Sequence, residues 1–322
     1  MPLPPILMRP AFRSGEATPW GGTRLRELFN KDTPDARTGE SLEVSTVANL
    51  NSLDSEGTPL SRLVERYGKA LVGTDVKGDF PLLLKLLDAR EDLSVQVHPD
   101  DAYAQANERK LGKSEAWIIL SAVPDAHIVC GFREGVTMHE LRQVNFEGPA
   151  VESLLRRVPV AAGDVIYLAP GTVHAIGAGI VLYEIQQSSD LTYRFYDWDR
   201  RDQHGNKRKL HLEKAMAVVD PTLRPDKSVP KKLSLPGGRG NTVLLVDAPH
   251  FITVKYTHCN HAVIPADRRR FAMLTALEPG VLHYLDRQLE LVAGSTALLP
   301  ANGEELLFTG NSALLSAPNM AD

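Results

Sequence analysis

Residues 163–174 of this 322-residue chain read Gly163-Asp164-Val165-Ile166-Tyr167-Leu168-Ala169-Pro170-Gly171-Thr172-Val173-His174. A glycine opens a short run of apolar and aromatic residues, and a Pro-Gly pair then turns the chain back towards a histidine. Short runs of this composition, bounded by turn residues, are typical of β-strands. The segment therefore predicts a strand, a tight turn and a second strand that begins with an imidazole.

The same pattern of short strands between Gly/Pro turns continues through most of the chain. We predict strands at residues 93–97, 116–120, 127–129, 164–168, 180–186 and 241–247. Helical periodicity is confined to short segments at residues 58–67, 100–110, 137–144, 150–158 and 212–219. The fold class is therefore predicted to be mainly β, with a few helices.

A Pro-Gly turn followed by a histidine is the second half of a cupin metal motif, so we predict a cupin (jelly-roll) β-barrel. Residues 294–305 also begin with glycine, an apolar strand and a turn, but contain no histidine. They are either a degenerate second copy or an unrelated strand and turn. Residues 220–240 are rich in Pro, Gly and Lys and predict a linker. We expect a catalytic metal-binding cupin domain in residues 1–235 and a smaller cupin-like β-domain in residues 236–322.

Composition and charge exclude several classes of protein. With 43% hydrophobic and 24% charged residues the chain is an ordinary globular protein, and no apolar run approaches the roughly 18 residues of a membrane span. The net charge of −4 argues against nucleic acid as a partner, and we interpret Lys207-Arg208-Lys209 and Arg268-Arg269-Arg270 as surface charge. Cys130 and Cys259 form no CxxC pattern, which excludes a disulfide framework and fits a cytoplasmic location.

Polar residues alternate along the predicted strand that precedes Pro99. Ser94, Gln96 and His98 would share one face of this strand. Three polar side chains pointing into a barrel are costly unless they bind something. Imidazole nitrogen and amide oxygen suit a divalent metal, although an amphipathic edge strand would show the same alternation.

Further segments offer residues for the same site. Glu115, at the start of a predicted strand, could be a carboxylate ligand, while Lys113 and Lys85 could meet an anion. His174 completes a set of two His, one Glu and one Gln that suits Zn²⁺, with other divalent metals as substitutes. Each residue alone would also fit a structural or surface role.

A later segment combines a carboxylate and a guanidinium. Glu184 shares a strand face with Gln186, and Arg194 follows a polar turn and lies between aromatic residues. Arginine is suited to planar, bidentate binding of phosphate or of a developing oxyanion. The alternative is an arginine that stacks on aromatic rings for structural reasons.

In this order, these segments resemble the class I mannose-6-phosphate isomerases, in particular the short bacterial form. Gln-Val-His-Pro-Asp combined with Gly-Thr-Val-His-Ala-Ile and Ser-Ser-Asp-Leu-Thr-Tyr-Arg is highly specific. The matching stretches are residues 19–22, 39–45, 80–86, 93–101, 111–117, 171–179 and 183–198.

The resemblance implies a function and a role for each site residue. The chain would interconvert mannose 6-phosphate and fructose 6-phosphate through an enediolate, as a monomer or homodimer. One metal ion, expected to be zinc, would be held by Gln96, His98, Glu115 and His174. Arg194 and Glu184 would be catalytic, and the substrate would be bound by Lys85, Ser94 and Lys113.

Other functions are compatible with the same residues. A related cupin isomerase could act on a different sugar phosphate, such as glucose 6-phosphate. A metal-loaded cupin could also bind sugar phosphates as a sensor without chemistry, because a fold does not determine a function. The general base stays open between Glu184 and a metal-associated water molecule.

Overall fold

The structure, a computed structural model, describes residues 2–146, 148–202, 204–234 and 239–319. Strands hold 41% of the residues and helices 15%, which confirms the predicted mainly-β class. The helices are α1 (Arg24–Phe29), α2 (Leu60–Tyr67), α3 (Lys69–Val72), α4 (Asp101–Glu108), α5 (Met138–Gln143) and α6 (Leu212–Val218).

The strands are numbered in chain order. The first ten are β1 (Ile6–Met8), β2 (Ala11–Ser14), β3 (Thr38–Val44), β4 (Leu82–Ala89), β5 (Val95–Val97), β6 (Glu115–Ala122), β7 (His127–Phe132), β8 (Leu155–Pro159), β9 (Val165–Leu168) and β10 (His174–Ile176). The others are β11 (Ile180–Gln187), β12 (Tyr193–Tyr196), β13 (Lys231–Leu233), β14 (Asn241–Asp247), β15 (Phe251–Ile264), β16 (Ala272–Ala276), β17 (Gly280–Tyr284), β18 (Arg287–Leu291), β19 (Thr296–Leu299) and β20 (Leu306–Pro318).

Four of the five predicted helices are present as α2, α4, α5 and α6. The helix predicted at residues 150–158 is wrong, because a 3-10 helix at Pro149–Leu154 leads directly into β8. Val158 pairs with Ile128 of β7, so the sheet satisfies the backbone groups that a helix would have used. No helix in the described ranges has the length and apolar character needed to cross a membrane.

Two antiparallel sheets enclose the first core. One has the strand order β12-β5-β10-β7-β8, and the other has the order β2-β3-β4-β11-β6-β9. Apolar side chains from both sheets pack together, including Ile128 and Ile176 from the first and Trp117 and Leu182 from the second. This two-sheet, jelly-roll architecture agrees with the predicted cupin fold.

A third, nine-stranded sheet contains every strand from β14 to β20. It also takes up β1, which pairs with β19, and β13, which pairs with β14. Its segment at residues 294–305 begins like residues 163–174, since Gly294 and Gly163 both have a positive φ and lead into strands. The predicted boundary between residues 235 and 236 lies outside the described residues, and the division into two domains stays a proposal.

A buried ion pair of the N-terminal part of the chain contacts a turn of the C-terminal part. Lys31 Nζ lies 2.6 Å from Glu43 Oε1 and donates to the carbonyl oxygen of Gly294 at 2.7 Å. Ser41 Oγ donates to the same carboxylate at 2.6 Å. Both charged side chains are less than a tenth exposed, so each needs the opposite charge of the other to offset the cost of losing its water.

Lys31→Met is expected to destabilise the protein by about 3–5 kcal/mol, because it leaves the Glu43 carboxylate buried without a cation. Thermal and urea unfolding would measure the change, with Lys69→Met on an exposed helix position as the control. The double variant Lys31→Met/Glu43→Gln should recover part of the loss. Equal unfolding of Lys31→Met and the control would contradict this account.

Candidate active site

A cavity of about 240 Å³ opens between the two N-terminal sheets. Its wall contains six of the nine predicted site residues: Lys85, Ser94, Gln96, Lys113, Glu184 and Arg194. The other three form a buried cluster in contact with Lys113: His98, Glu115 and His174. The structure therefore brings all nine together.

Strand register places three of these residues in one row. Gln96 on β5 lies opposite His174 on β10 and opposite Arg194 on β12. Directly opposed residues of antiparallel strands point to the same face of the sheet. The alternation along β5 predicted this face for Ser94, and both Ser94 and Gln96 line the cavity.

The facing sheet supplies the carboxylates and a lysine. Glu184 on β11 lies opposite Lys85 on β4 and opposite Trp117 on β6. Glu115 is two residues before Trp117 on the same strand, so both side chains point to the same side. Glu115 thus reaches across to the facing sheet, where His174 begins β10 and His98 directly follows β5.

His98, Glu115 and His174 form a compact donor cluster. Glu115 Oε1 lies 3.1 Å from His174 Nε2, and Glu115 Oε2 lies 3.5 Å from His98 Nε2. All three side chains are at most 2% exposed. Within the described ranges this is the one group of three His, Cys, Asp or Glu residues whose ligand atoms lie within 4.8 Å of one another.

The hydrogen bonding of the cluster fits a cation. The carbonyl oxygen of Thr172 lies 2.9 Å from His174 Nδ1 and can only accept, so Nδ1 carries the proton. In the neutral form that a metal would require, Nε2 would direct its lone pair at the Glu115 carboxylate, and no donor among the described residues hydrogen-bonds to it. In that form the two electron-rich atoms, 3.1 Å apart, would need a cation between them, and a ligating histidine is usually oriented by such a carbonyl.

The protonation states also suit metal binding. Burial, aided by the charge of Lys113, lowers the pKa of His98 to about 3, so its imidazole is neutral. Burial would raise the pKa of the Glu115 carboxyl, but Lys113 and His174 outweigh it and the pKa lies well below its usual range. Neutral imidazoles and an ionised carboxylate are the forms that bind metals.

An ion-pair network occupies the cavity next to this cluster. Lys85 Nζ lies 3.1 Å from Glu184 Oε2 and 3.5 Å from Glu40 Oε1, while Arg13 donates to Glu40 at 3.2 Å. Burial lowers the pKa of Lys85, but the two carboxylates raise it above its usual value. Trp117 Nε1 donates to Glu184 Oε1 at 3.0 Å and fixes that carboxylate.

Arg194 occupies the other end of the row. Its Nε donates to Ser94 Oγ at 3.4 Å, and one terminal nitrogen donates to the carbonyl oxygen of Lys209 at 3.0 Å. Burial and the positive charge of Arg208 lower the pKa of its guanidinium, which stays protonated. No carboxylate is paired with Arg194 among the described residues.

The sequence patterns did not single out four charged residues that line the cavity: Arg13, Glu40, Asp190 and Arg208. Glu40 stands in one of the matching stretches, but its contact with Lys85 depends on strand pairing across β3 and β4. Arg208 belongs to a basic cluster that we interpreted as surface charge, and that interpretation is wrong for Arg208. Its loop folds back so that it lines the cavity and pairs with Asp197.

Comparison with known proteins gives the family. The family model of the type I phosphomannose isomerase catalytic domain matches residues 13–134. A mannose-6-phosphate isomerase of Streptococcus mutans is 44% identical over 242 residues, which is 74% of each chain. A probable mannose-6-phosphate isomerase of Bacillus subtilis is 35% identical over 310 residues, 95% of this chain and 96% of that one. The chain belongs to the mannose-6-phosphate isomerase family.

A solved structure extends the likeness to the whole fold. The crystal structure of the mannose 6-phosphate isomerase from Bacillus subtilis superposes with a TM-score of 0.88 at 33% identity. The match covers 98% of this chain and 99% of the other. The nine-stranded C-terminal sheet therefore belongs to the architecture of the mannose-6-phosphate isomerase family.

Proposed function

We propose that this protein is a metal-dependent aldose–ketose isomerase that interconverts mannose 6-phosphate and fructose 6-phosphate. The observation that carries the proposal is the buried His98, Glu115 and His174 cluster beside a cavity lined with cations. Such a cavity can hold an anionic sugar derivative against a metal centre. Membership of the mannose-6-phosphate isomerase family gives the reaction.

Zinc is the metal that we propose, held by His98, Glu115, His174 and Gln96. Two imidazole nitrogens and two oxygen donors suit zinc, although other divalent metals accept the same ligands. Gln96 is included because it lies directly opposite His174 on the neighbouring strand. Bound zinc would supply a Lewis acid at the sugar oxygens.

The chain's own residues would handle the charge and the proton. Interconversion moves a proton between C1 and C2 and develops negative charge on oxygen, which a nearby guanidinium stabilises. We propose Arg194 for this role, since it is partly buried and has no competing carboxylate. Burial excludes much of the water that would weaken the interaction.

Glu184 is our proposal for the group that moves the proton. Its carboxylate faces the cavity and is held from two sides, by Trp117 Nε1 at 3.0 Å and by Lys85 Nζ at 3.1 Å. A base must be fixed within hydrogen-bonding reach of the carbons, and these two contacts supply that fixation. Lys85 and Lys113 would orient the sugar hydroxyls beside it.

We also propose a cytoplasmic location. Cys130 and Cys259 are both buried free thiols, which fits a reducing compartment. We expect a monomer or a homodimer, and size-exclusion chromatography with light scattering would distinguish the two states.

The proposed function is tested by assaying the purified protein with mannose 6-phosphate and coupling fructose 6-phosphate formation to a reporter. We expect turnover that disappears on chelation and returns on addition of Zn²⁺. Competition with glucose 6-phosphate measures selectivity and tests the related isomerase alternative. Tight metal and sugar-phosphate binding without turnover would contradict the proposal and favour a sensor.

A further inference from the structure

The cations of the cavity are not equally compensated. On the side of the sheet that contains β2, β4 and β6, each of Arg13, Lys85 and Lys113 is ion-paired with a carboxylate, that of Glu40, Glu184 or Glu115. On the side of β12, Arg194 and Arg208 line the cavity. Asp197 is the one carboxylate ion-paired with either of them among the described residues, and it is shared by Arg208 and Arg200. The part of the cavity lined by Arg194 and Arg208 therefore carries its excess positive charge.

Asp197 holds Arg208 in a defined orientation. Arg208 Nε donates to Asp197 Oδ2 at 2.8 Å, and a terminal nitrogen donates to Oδ1 at 3.0 Å. Arg200 donates to Oδ1 at 2.7 Å from another direction, and the Asp197 side chain is only 6% exposed. The bidentate pair uses one edge of the Arg208 guanidinium and leaves further N–H donors for a second anion.

We propose that Arg208 binds the phosphate group of the substrate, and that Asp197 is the residue that positions Arg208. This inference rests on the proposed function, because it assigns one end of the same substrate. A phosphate dianion would balance the excess positive charge of this part of the cavity. Lys85 and Lys113, whose ammonium groups already contact carboxylates, would then contact the sugar hydroxyls rather than the phosphate.

The spacing along the sheet agrees with this assignment. His174, Gln96 and Arg194 lie on three neighbouring strands, so about 10 Å separates the outer two Cα atoms. That distance is comparable to the length of a hexose phosphate. A substrate bound along the row would place its first two carbons between the metal cluster and the Arg194 guanidinium, and its phosphate at Arg208.

Arg208→Ala tests the inference through a comparison of substrates. For mannose 6-phosphate we expect KM to rise about 10- to 100-fold, the effect of losing a charge-assisted hydrogen bond, with kcat changed by less than about threefold. For unphosphorylated mannose, kcat/KM should be unchanged, since it has no phosphate to lose. A variant damaged only in its structure would lose activity on both substrates alike, and that result would overturn the inference.

Arg201→Ala is the matched control. The substitution removes one positive charge from the same loop. The Arg201 side chain is exposed and does not line the cavity. We expect its KM for mannose 6-phosphate to stay within about twofold of the wild type in moderate salt, where a general charge effect is screened. An equal rise in KM in both variants would assign the effect to the overall field and overturn the role of Arg208.

Binding of inorganic phosphate separates this inference from the proposed function, because it needs no turnover. We expect calorimetry on the metal-loaded protein to show phosphate binding that weakens at least tenfold in Arg208→Ala but not in Arg201→Ala. This binding result, obtained without any turnover of mannose 6-phosphate, would contradict the proposed isomerase function but support the phosphate site. Normal turnover, with equal phosphate affinity in the wild type and Arg208→Ala, would contradict only the phosphate site at Arg208.

Discussion

His174→Ala is expected to remove the bound metal and to lower kcat/KM for mannose 6-phosphate by more than about a hundredfold. Loss of a group that only supports a ligand already costs 10- to 100-fold in metal affinity or activity, and a ligand itself should cost more. No donor among the described residues hydrogen-bonds to His174 Nε2, and its polar contact there is with Glu115, another proposed ligand. Elemental analysis of the purified variant and the coupled assay measure both losses.

The control for this variant is His139→Ala. His139 is exposed on α5, far from the cluster in sequence, and its removal should leave metal content and turnover at wild-type levels. His98→Ala should behave like His174→Ala, because both imidazoles face Glu115. Near-normal turnover by a metal-free His174→Ala protein would show that this cluster is not the catalytic centre.

Arg194→Ala is expected to keep the metal but to lose about 100- to 1000-fold in kcat. Removing one group that stabilises a developing oxyanion typically costs this much. The metal should remain because Arg194 contacts Ser94 Oγ and the Lys209 carbonyl, and neither belongs to the proposed ligand set. Metal content, kcat and KM are measured on the same preparation.

Arg194→Lys gives a second measurement of the same role. Lysine keeps the charge but cannot present the planar pair of donors, so kcat should recover only in part. A variant that fails simply through misfolding would show a lower melting temperature, which circular dichroism detects. Unchanged kcat in Arg194→Ala would remove this residue from the chemistry and leave it a role in binding alone.

Local strand patterns predicted which residues face the cavity. Period-two alternation placed Ser94, Gln96 and His98 on one face, and Ser94 and Gln96 line the cavity in the structure. The same rule applies to β4, where Leu83 and Lys85 point to the same side. Alternation is a property of the extended backbone, so it can be read without knowledge of the partner strands.

The partner strands decided which charges meet. The ion pair between Lys85 and Glu40 depends on the pairing of β3 with β4, and Glu115 reaches His174 only because two sheets face each other. These contacts join residues tens of positions apart. Their geometry is set by sheet packing, which short-range patterns do not encode.

The sequence by itself determined the mainly-β class and the faces of the key strands, and it supplied the candidate metal ligands that the structure brings together. Only the tertiary structure decided that Arg208, in a basic run typical of an exposed loop, returns to the cavity and pairs with Asp197. The physical reason is that strand alternation is local, whereas the fate of a charged loop depends on the counter-charges that distant segments bring to it.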